Sequence, residues 1–315
     1  MKRLHFRNGK PIDSIGLGTW KSDPKDVKNA VKNALEVGYR HIDAASIYGN
    51  EAAIGEALSE VFANGRINRK DVFITSKLWN DAHRPEDVQP ALEKTLADLQ
   101  LDYIDLYLMH WPVAFKKGVM MPQSADEYVS LHEVPLIDTW KALEKVKDKG
   151  LAQHIGVSNF SVTKLKALIA QASTVPEMNQ VELHPLLAQN DLLAFCKENK
   201  ILVTAYSPLG SGDRSEAMKA ADEPNLFELE YVKAAAEKHR YTPADVLLSY
   251  HLFRDCCVIP KSTNQMRIFQ NFMSSLKALH HEDMDLIAQH DRGFRYVNGK
   301  FFDCPEKGYS NVYDE

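Results

Sequence analysis

Short apolar runs alternate with amphipathic stretches along almost the whole chain, and the alternation itself predicts the architecture. Apolar runs bounded by turn residues read as buried strands, and apolar positions spaced three and four apart read as helices packed by one face. Strands are predicted over 14–19, 39–44, 72–78, 103–110, 154–158, 178–183, 202–207 and 257–261. Helices are predicted over 24–38, 50–63, 85–99, 136–149, 161–172 and 191–199, in segments near 229–253, and from about 264 onward. Pro24 near the start and Gly38 at the end bracket the first helix. Ahead of this series, LHFR and KPID flank Asn8-Gly9, the pattern of a β-hairpin. Eight strands, each followed by helical sequence and with no linker or shift of composition, predict an α/β chain closed into one (β/α)8 TIM barrel over 1–315, the hairpin capping it.

Three of the apolar runs, HIDA, VFITSK and IDLYLMH, stop on or beside ionisable residues. Asp43, Lys77 and His110 are those residues, and Tyr48 follows Asp43 by five positions. Polar groups recurring at strand ends of a parallel barrel point to one site assembled from distant segments. A carboxylate inside an apolar run is costly unless paired, and neighbouring strands lie ~4.8 Å apart, so Lys77 is the natural partner of Asp43. A tyrosine phenol, with a pKa of ~10, gives up its proton more readily beside an ammonium group. His110 can donate one N–H to a substrate oxygen, although sequence does not say which nitrogen carries the proton. Taken singly, these residues also read as an ion pair and two core side chains. Segments 112–134 and 208–226 and the tail from about 291 exceed ordinary connections. Trp111, Phe115, Tyr128, Phe227, Phe294 and Tyr296 in or beside them suggest the walls of a pocket.

At 315 residues, 44% hydrophobic and 26% charged, the chain is an ordinary globular composition. A net charge of -5 and a pI near 6.2, with no basic stripe, argue against a nucleic-acid partner. No apolar run approaches the ~18 residues of a membrane span, and no apolar segment follows the basic N-terminus as in a secretory signal. Cys196, Cys256, Cys257 and Cys304 form no CxxC pair and read as reduced core thiols of a cytoplasmic protein. GxGxxG, HExxH, GxSxG and GxxxxGK[ST] are all missing, which removes the Rossmann, zinc-hydrolase, serine-hydrolase and P-loop readings and leaves no metal expected.

Eight motifs in order, GLGTW at 16–20, GYRHIDAASIYGNE at 38–51, ITSKLW at 74–79, DLYLMHWP at 105–112, IGVSNF at 155–160, NQVELHP at 179–185, AYSPLGS at 205–211 and IPKS at 259–262, resemble the aldo-keto reductases, most closely the aldose and aldehyde reductase group. The resemblance implies NADPH-dependent reduction of aldehydes, ketones or aldoses, with NADH less favoured. It implies Tyr48 as proton donor, Lys77 as modulator of its acidity, Asp43 as the lysine's partner and His110 as the group that orients the carbonyl. Ser158, Asn159 and Gln180 would hold the nicotinamide carboxamide, with Tyr206 stacked on its ring and Thr19 and Trp20 beside it. Ser207, Leu209 and Ser211 would follow the pyrophosphate, and SGDR at 211–214 the loop over the cofactor. Lys261, Ser262, Thr263, Arg267, Gln270 and Asn271 would take the adenosine end, Gln270 standing where many members carry Glu. Trp20, Trp79, His110 and Trp111 would line the substrate pocket. A small carbonyl compound is the expected partner of a monomer. The alternative is a non-catalytic member that binds nicotinamide only as a ligand.

Overall fold

The computed structural model describes residues 2–212, 214, 219 and 222–314. An antiparallel hairpin, β1 (Arg3–His5) with β2 (Pro11–Asp13), opens the chain. There follow β3 (Leu17–Gly18), β4 (His41–Asp43), β5 (Phe73–Leu78), β6 (Ile104–Met109), β7 (Ala114–Phe115), β8 (Tyr128–Val129), β9 (Ala152–Ser158), β10 (Met178–Glu182), β11 (Leu202–Tyr206) and β12 (Cys257–Val258). β7 and β8 pair with each other, and the other eight form a parallel sheet in the order β3-β4-β5-β6-β9-β10-β11-β12. Its two edges meet: Gly16 N–H donates to Val258 O at 2.8 Å, Val258 N–H donates to Ser14 O at 2.8 Å, and Gly18 bridges to Lys261. A side chain at Gly18 would bring its Cβ to 2.5 Å from Ile259 O, so the closing seam requires glycine there.

Strand alternation divides the interior from the outer layer. Leu106 and Leu108 pack with Leu4, Phe6 and Ile12 of the hairpin, whereas Tyr107 and Met109 join the main core under the helices. Phe73, Met178 and Cys257, the first residues of their strands, join the same hairpin cluster. The hairpin therefore plugs the end where strands begin and leaves the other end for a site.

The helices are α1 (Pro24–Val37), α2 (Glu51–Ala63), α3 (Pro85–Leu99), α4 (Leu136–Asp148), α5 (Val162–Ile169), α6 (Asn190–Glu198), α7 (Glu230–His239), α8 (Pro243–Phe253), α9 (Gln265–Ser274) and α10 (His281–Ala288). α1 shows the rule they follow. Val27, Ala30, Val31, Ala34 and Leu35 are its buried face, Pro24 is its first residue, and Gly38 ends it with φ 124. Each fully buried Val or Leu on such a face contributes roughly 1.5–3 kcal/mol.

The helical segments read near 229–253 are α7 and α8, separated at Arg240 (φ 55), the second started by a Thr242–Asp245 capping box with Pro243 at the first position. The structure departs from the sequence reading in two places. A separate helix, α10, precedes the tail. Segment 112–134 contains the β7–β8 hairpin, whose two-residue strands are too short to show a period. No helix among the described residues is long and apolar enough to cross a membrane.

Candidate active site

Asp43 is the last residue of β4, paired in register with Thr75 of β5. Lys77 lies two residues beyond Thr75, so its side chain leaves the same face one step higher. Both side chains are about 1% exposed, and Lys77 Nζ donates to Asp43 Oδ1 at 2.5 Å, to Ala44 O at 2.8 Å and toward the Tyr48 hydroxyl at 3.4 Å. Asp43 Oδ2 accepts from Gln180 Nε2 at 2.7 Å, so both carboxylate oxygens have donors. Complete satisfaction is what makes a buried pair tolerable. Burial by itself lowers the Lys77 pKa; Asp43 and then Tyr48 outweigh it, and the net direction is upward, keeping the ammonium charged.

Tyr48 ends a 3₁₀ turn, Ser46–Tyr48, closed by Gly49 in the left-handed region at φ 67. Ser46 Oγ donates to Lys77 O at 3.2 Å, tying this turn to β5. Burial raises the Tyr48 pKa, and Lys77 pulls it back down. The lysine thus acts in the direction read from sequence, but burial outweighs it and the phenol stays protonated above its ordinary range. His110 follows β6, its ring 5.9 Å from Tyr48, 5.1 Å from Trp79 and 6.5 Å from Trp111. Burial first, then Lys77 and His83, hold its pKa well below the ordinary value, so the imidazole is neutral. Trp20 is half exposed and lies 4.8 Å from Tyr48, while Trp79 and Trp111 are buried. Thr19 is buried beneath them, its hydroxyl donating to Asp43 O at 2.8 Å.

The ends of β9, β10 and β11 supply a row of polar side chains. Ser158 Oγ donates to Gln180 O at 2.8 Å, and Asn159 Nδ2 donates to His110 O at 3.0 Å. Tyr206 donates its hydroxyl proton to Asn159 Oδ1 at 2.8 Å. Asn159 (φ 63) and Ser207 (φ 49) both adopt the left-handed conformation, turning the chain at the rim. Further out, Leu209, Lys261, Ser262, Arg267, Gln270 and Asn271 line a cavity of about 270 Å³ together with Phe227, Thr242 and Asp245. Thr263 sits half-buried beside them. Arg267 is in the first turn of α9, whose cap is Asn264. Ser211 O accepts from Arg214 Nε at 3.0 Å, and Arg214 also donates to Tyr296 O at 2.5 Å and pairs with Glu223, tethering this loop to the tail. Asp213 of the SGDR segment lies outside the described residues, as do 215–218, 220 and 221 of segment 208–226.

The aromatic residues divide differently from the expectation. Phe115 and Tyr128 do surround Trp79 and Trp111, and Phe227 walls the cavity beside Arg267, but Phe294 and Tyr296 pack on α7, α8 and α10. Their place at the pocket is taken by Phe302, Tyr309 and Tyr313 of the tail, with Phe301 against Trp111. Tyr296 is diverted because Glu182, at the end of β10, accepts the backbone N–H groups of Tyr296 at 2.6 Å and Val297 at 2.9 Å and the ring of His184 at 2.8 Å. Glu182 and His184 lie in the motif VELHP, so they were visible in the sequence, but nothing local showed that they clasp a segment more than 100 residues away. Among the described residues, His239, His280 and Asp283 come within 4.8 Å as a possible metal cluster. His239 and Lys238 already hydrogen-bond Asp283, and His280 caps α10.

Glu51, 4% exposed in the first turn of α2, accepts Ser76 Oγ at 2.5 Å and Thr95 Oγ1 at 3.0 Å. Burial raises its pKa to about 7 against the pull of both hydroxyls. The folded chain therefore binds this proton more tightly than the unfolded chain does; the contribution is fullest below the ordinary value of 4.5 and is lost as pH climbs to about 7. Glu51→Gln is expected to match the wild-type Tm near about pH 5 and exceed it near about pH 8. Thermal melts at the two pH values check this, and a Tm difference independent of pH counts against it.

Comparison with known proteins agrees with this geometry. The model of the Aldo/keto reductase family matches residues 14–292. The chain is 48% identical to an aldo/keto reductase of Synechocystis over 100% of this chain and 97% of that one. It is 50% identical to aldo-keto reductase family 1 member A1 of Gallus gallus, covering 93% and 91% of the two chains. The solved structure of the aldose reductase from Schistosoma japonicum superimposes with a TM-score of 0.90 at 39% identity, covering both chains completely. A parallel eight-stranded barrel, a polar cluster at its open end and similarity running the full length lead to one assignment: the chain belongs to the aldo/keto reductase family.

Proposed function

We propose that this chain reduces aldehydes and ketones to alcohols with NADPH, Tyr48 delivering the proton. The observation that carries the proposal is the Tyr48 hydroxyl held 3.4 Å from a buried, charged Lys77, beside a neutral His110. When bound, the nicotinamide supplies the hydride. His110 donates an N–H to the carbonyl oxygen and orients it. As negative charge builds there, Tyr48 transfers its hydroxyl proton to that oxygen, and Lys77 stabilises the phenolate left behind. Asp43 holds Lys77 in place. Trp20, Trp79 and Trp111 exclude water around the reacting oxygen and form the substrate walls.

The cofactor cavity suits this reading by its donor set. Lys261 and Arg267 offer cations for a 2′-phosphate, Ser262 and Thr263 hydroxyls, Gln270 and Asn271 amides for adenine, and Leu209 an apolar wall. Ser207 and Ser211 serve the pyrophosphate, Ser158, Asn159 and Gln180 the carboxamide, and Tyr206, Thr19 and Trp20 the nicotinamide ring. The enzyme works as one unit over 1–315, monomeric and cytoplasmic. Its four cysteines are unpaired and buried, as suits a reducing compartment.

Oxidation of NADPH and NADH should be followed spectrophotometrically with glyceraldehyde, xylose, aromatic aldehydes and simple ketones. Turnover with NADPH on at least the reactive aldehydes is expected, and silence across the panel favours a non-catalytic nicotinamide-binding protein. Arg267→Ala should weaken NADPH binding about tenfold, the scale of one charged hydrogen bond, and leave NADH binding unchanged. Equal losses for both cofactors would remove Arg267 from the 2′-phosphate.

A further inference from the structure

The tail that walls the substrate pocket also lines a second cavity, of about 590 Å³. Arg292, Arg295 and Lys300 bring three cations to its lining against the carboxylates of Asp222 and Asp303, and none of the residues assigned above to NADPH takes part in it. Val312 and Tyr313 belong both to this lining and to the aromatic cluster around Trp79 and Trp111. Of the two, Tyr313 carries the ring that reaches the pocket: it lies 6.2 Å from Trp111, which lies 6.5 Å from His110. The Arg295 guanidinium rests over the same ring at 3.8 Å. One buried side chain is therefore common to an apolar pocket and a cationic cavity.

The ring is fastened at both ends. Tyr313 donates its hydroxyl proton to Val297 O at 2.8 Å, and the Val297 N–H donates to Glu182, buried at the end of β10, at 2.9 Å. The next residue, Asp314, turns at φ 59 and accepts from Lys164 Nζ at 2.6 Å and from Ser161, the cap of α5. A bulky ring held in this way selects by what it excludes. Arginine and lysine beside a substrate pocket favour an anionic group through charge-assisted hydrogen bonds, but only where that group can reach them. We infer that Tyr313 is a specificity-determining residue, closing the substrate pocket off from the cavity of Arg292, Arg295 and Lys300. It confines the wild type to compact apolar carbonyl compounds and shuts out long ones that end in a carboxylate. The inference rests on reading Trp111 as a wall of the substrate pocket.

Two biphenyl aldehydes, one uncharged and one with a carboxylate on the far ring, read the partition with NADPH, since two ring spacings separate His110 from Tyr313. In Tyr313→Ala, kcat/KM for the carboxylate is expected to rise about tenfold, the scale of one charged hydrogen bond, and to rise less for the uncharged compound. Tyr313→Phe keeps the ring and should keep the wild-type selectivity. A general loosening of the fold lowers both rates and yields no such gain. Iodide quenching of tryptophan fluorescence gives a readout without turnover. The anion gathers beside cations, so Trp111 should be quenched in Tyr313→Ala and shielded in wild type, its share being what Trp111→Phe removes from each. Should Tyr313→Ala not fold, Asp314→Ala, which frees the end of the tail, is expected to move both readouts the same way. No gain for the carboxylate in the folded variant overturns the inference. If the wild type reduces no aldehyde, the proposed reaction fails and quenching alone decides on Tyr313: added quenching of Trp111 upholds the partition, and unaltered quenching removes it.

Discussion

Tyr48→Phe is expected to lower carbonyl-reduction turnover by about 10²–10⁴-fold, the usual share of general acid catalysis, while NADPH still binds. The variant removes a single oxygen. The ring's contacts with Trp20 and His110 stay, and so does the Lys77–Asp43 pair, because the lysine keeps Asp43 Oδ1 and Ala44 O as acceptors. Fluorescence titration with NADPH and steady-state kinetics on a reactive aldehyde separate binding from chemistry. Wild-type-like reduction by Tyr48→Phe would falsify the assignment of the proton donor. The expectation depends on the hydroxyl being protonated in the resting chain, and burial raises its pKa in that sense. Lys77 opposes that rise, which lessens the cost of the phenolate at the moment of transfer.

A second large effect is expected from Lys77→Met, this time on stability and activity together. Asp43 would keep Gln180 as a donor but lose its buried counter-charge, and stranding one member of a buried pair costs about 3–5 kcal/mol. Urea denaturation should show that loss, and turnover should fall to the level of Tyr48→Phe or below. Adding Asp43→Leu to Lys77→Met removes the stranded carboxylate and should restore much of the stability but none of the turnover. Recovery of activity in the double variant would mean that Lys77 acts only by keeping the fold intact. An unchanged urea midpoint in Lys77→Met would mean that Asp43 is better solvated than its burial implies.

The sequence reading followed the fold wherever one element buries one face. α1 announced itself by five apolar residues on one stripe between Pro24 and Gly38, and β5 and β6 by short, mainly apolar runs that the fold buries from end to end. Elements were missed where local signals were weak. β7 and β8 are two residues each and gain their partners only when the chain returns at residue 128. The tail shows the same limit. Aromatic content suggested that residues near 294–296 face the pocket, but Glu182 captures two backbone N–H groups there and turns Phe294 and Tyr296 into another core.

For the site, strand ends carrying Asp43, Lys77 and His110 were legible because a charged side chain in an apolar run needs a reason within reach. By itself, then, the sequence determined a barrel of eight βα units and the residue types at its open rim, since hydrophobic periodicity and the cost of burying charge act locally. The tertiary structure decided register and approach. It set Lys77 one step above Asp43, placed Gln180 on the other carboxylate oxygen, left Tyr48 at 3.4 Å rather than in full hydrogen-bond contact, and packed Tyr313 of the tail beside Trp111. Those outcomes depend on which strands become neighbours and what each desolvates. Contacts between residues as distant as Asp43 and Gln180 exist only once the sheet has closed.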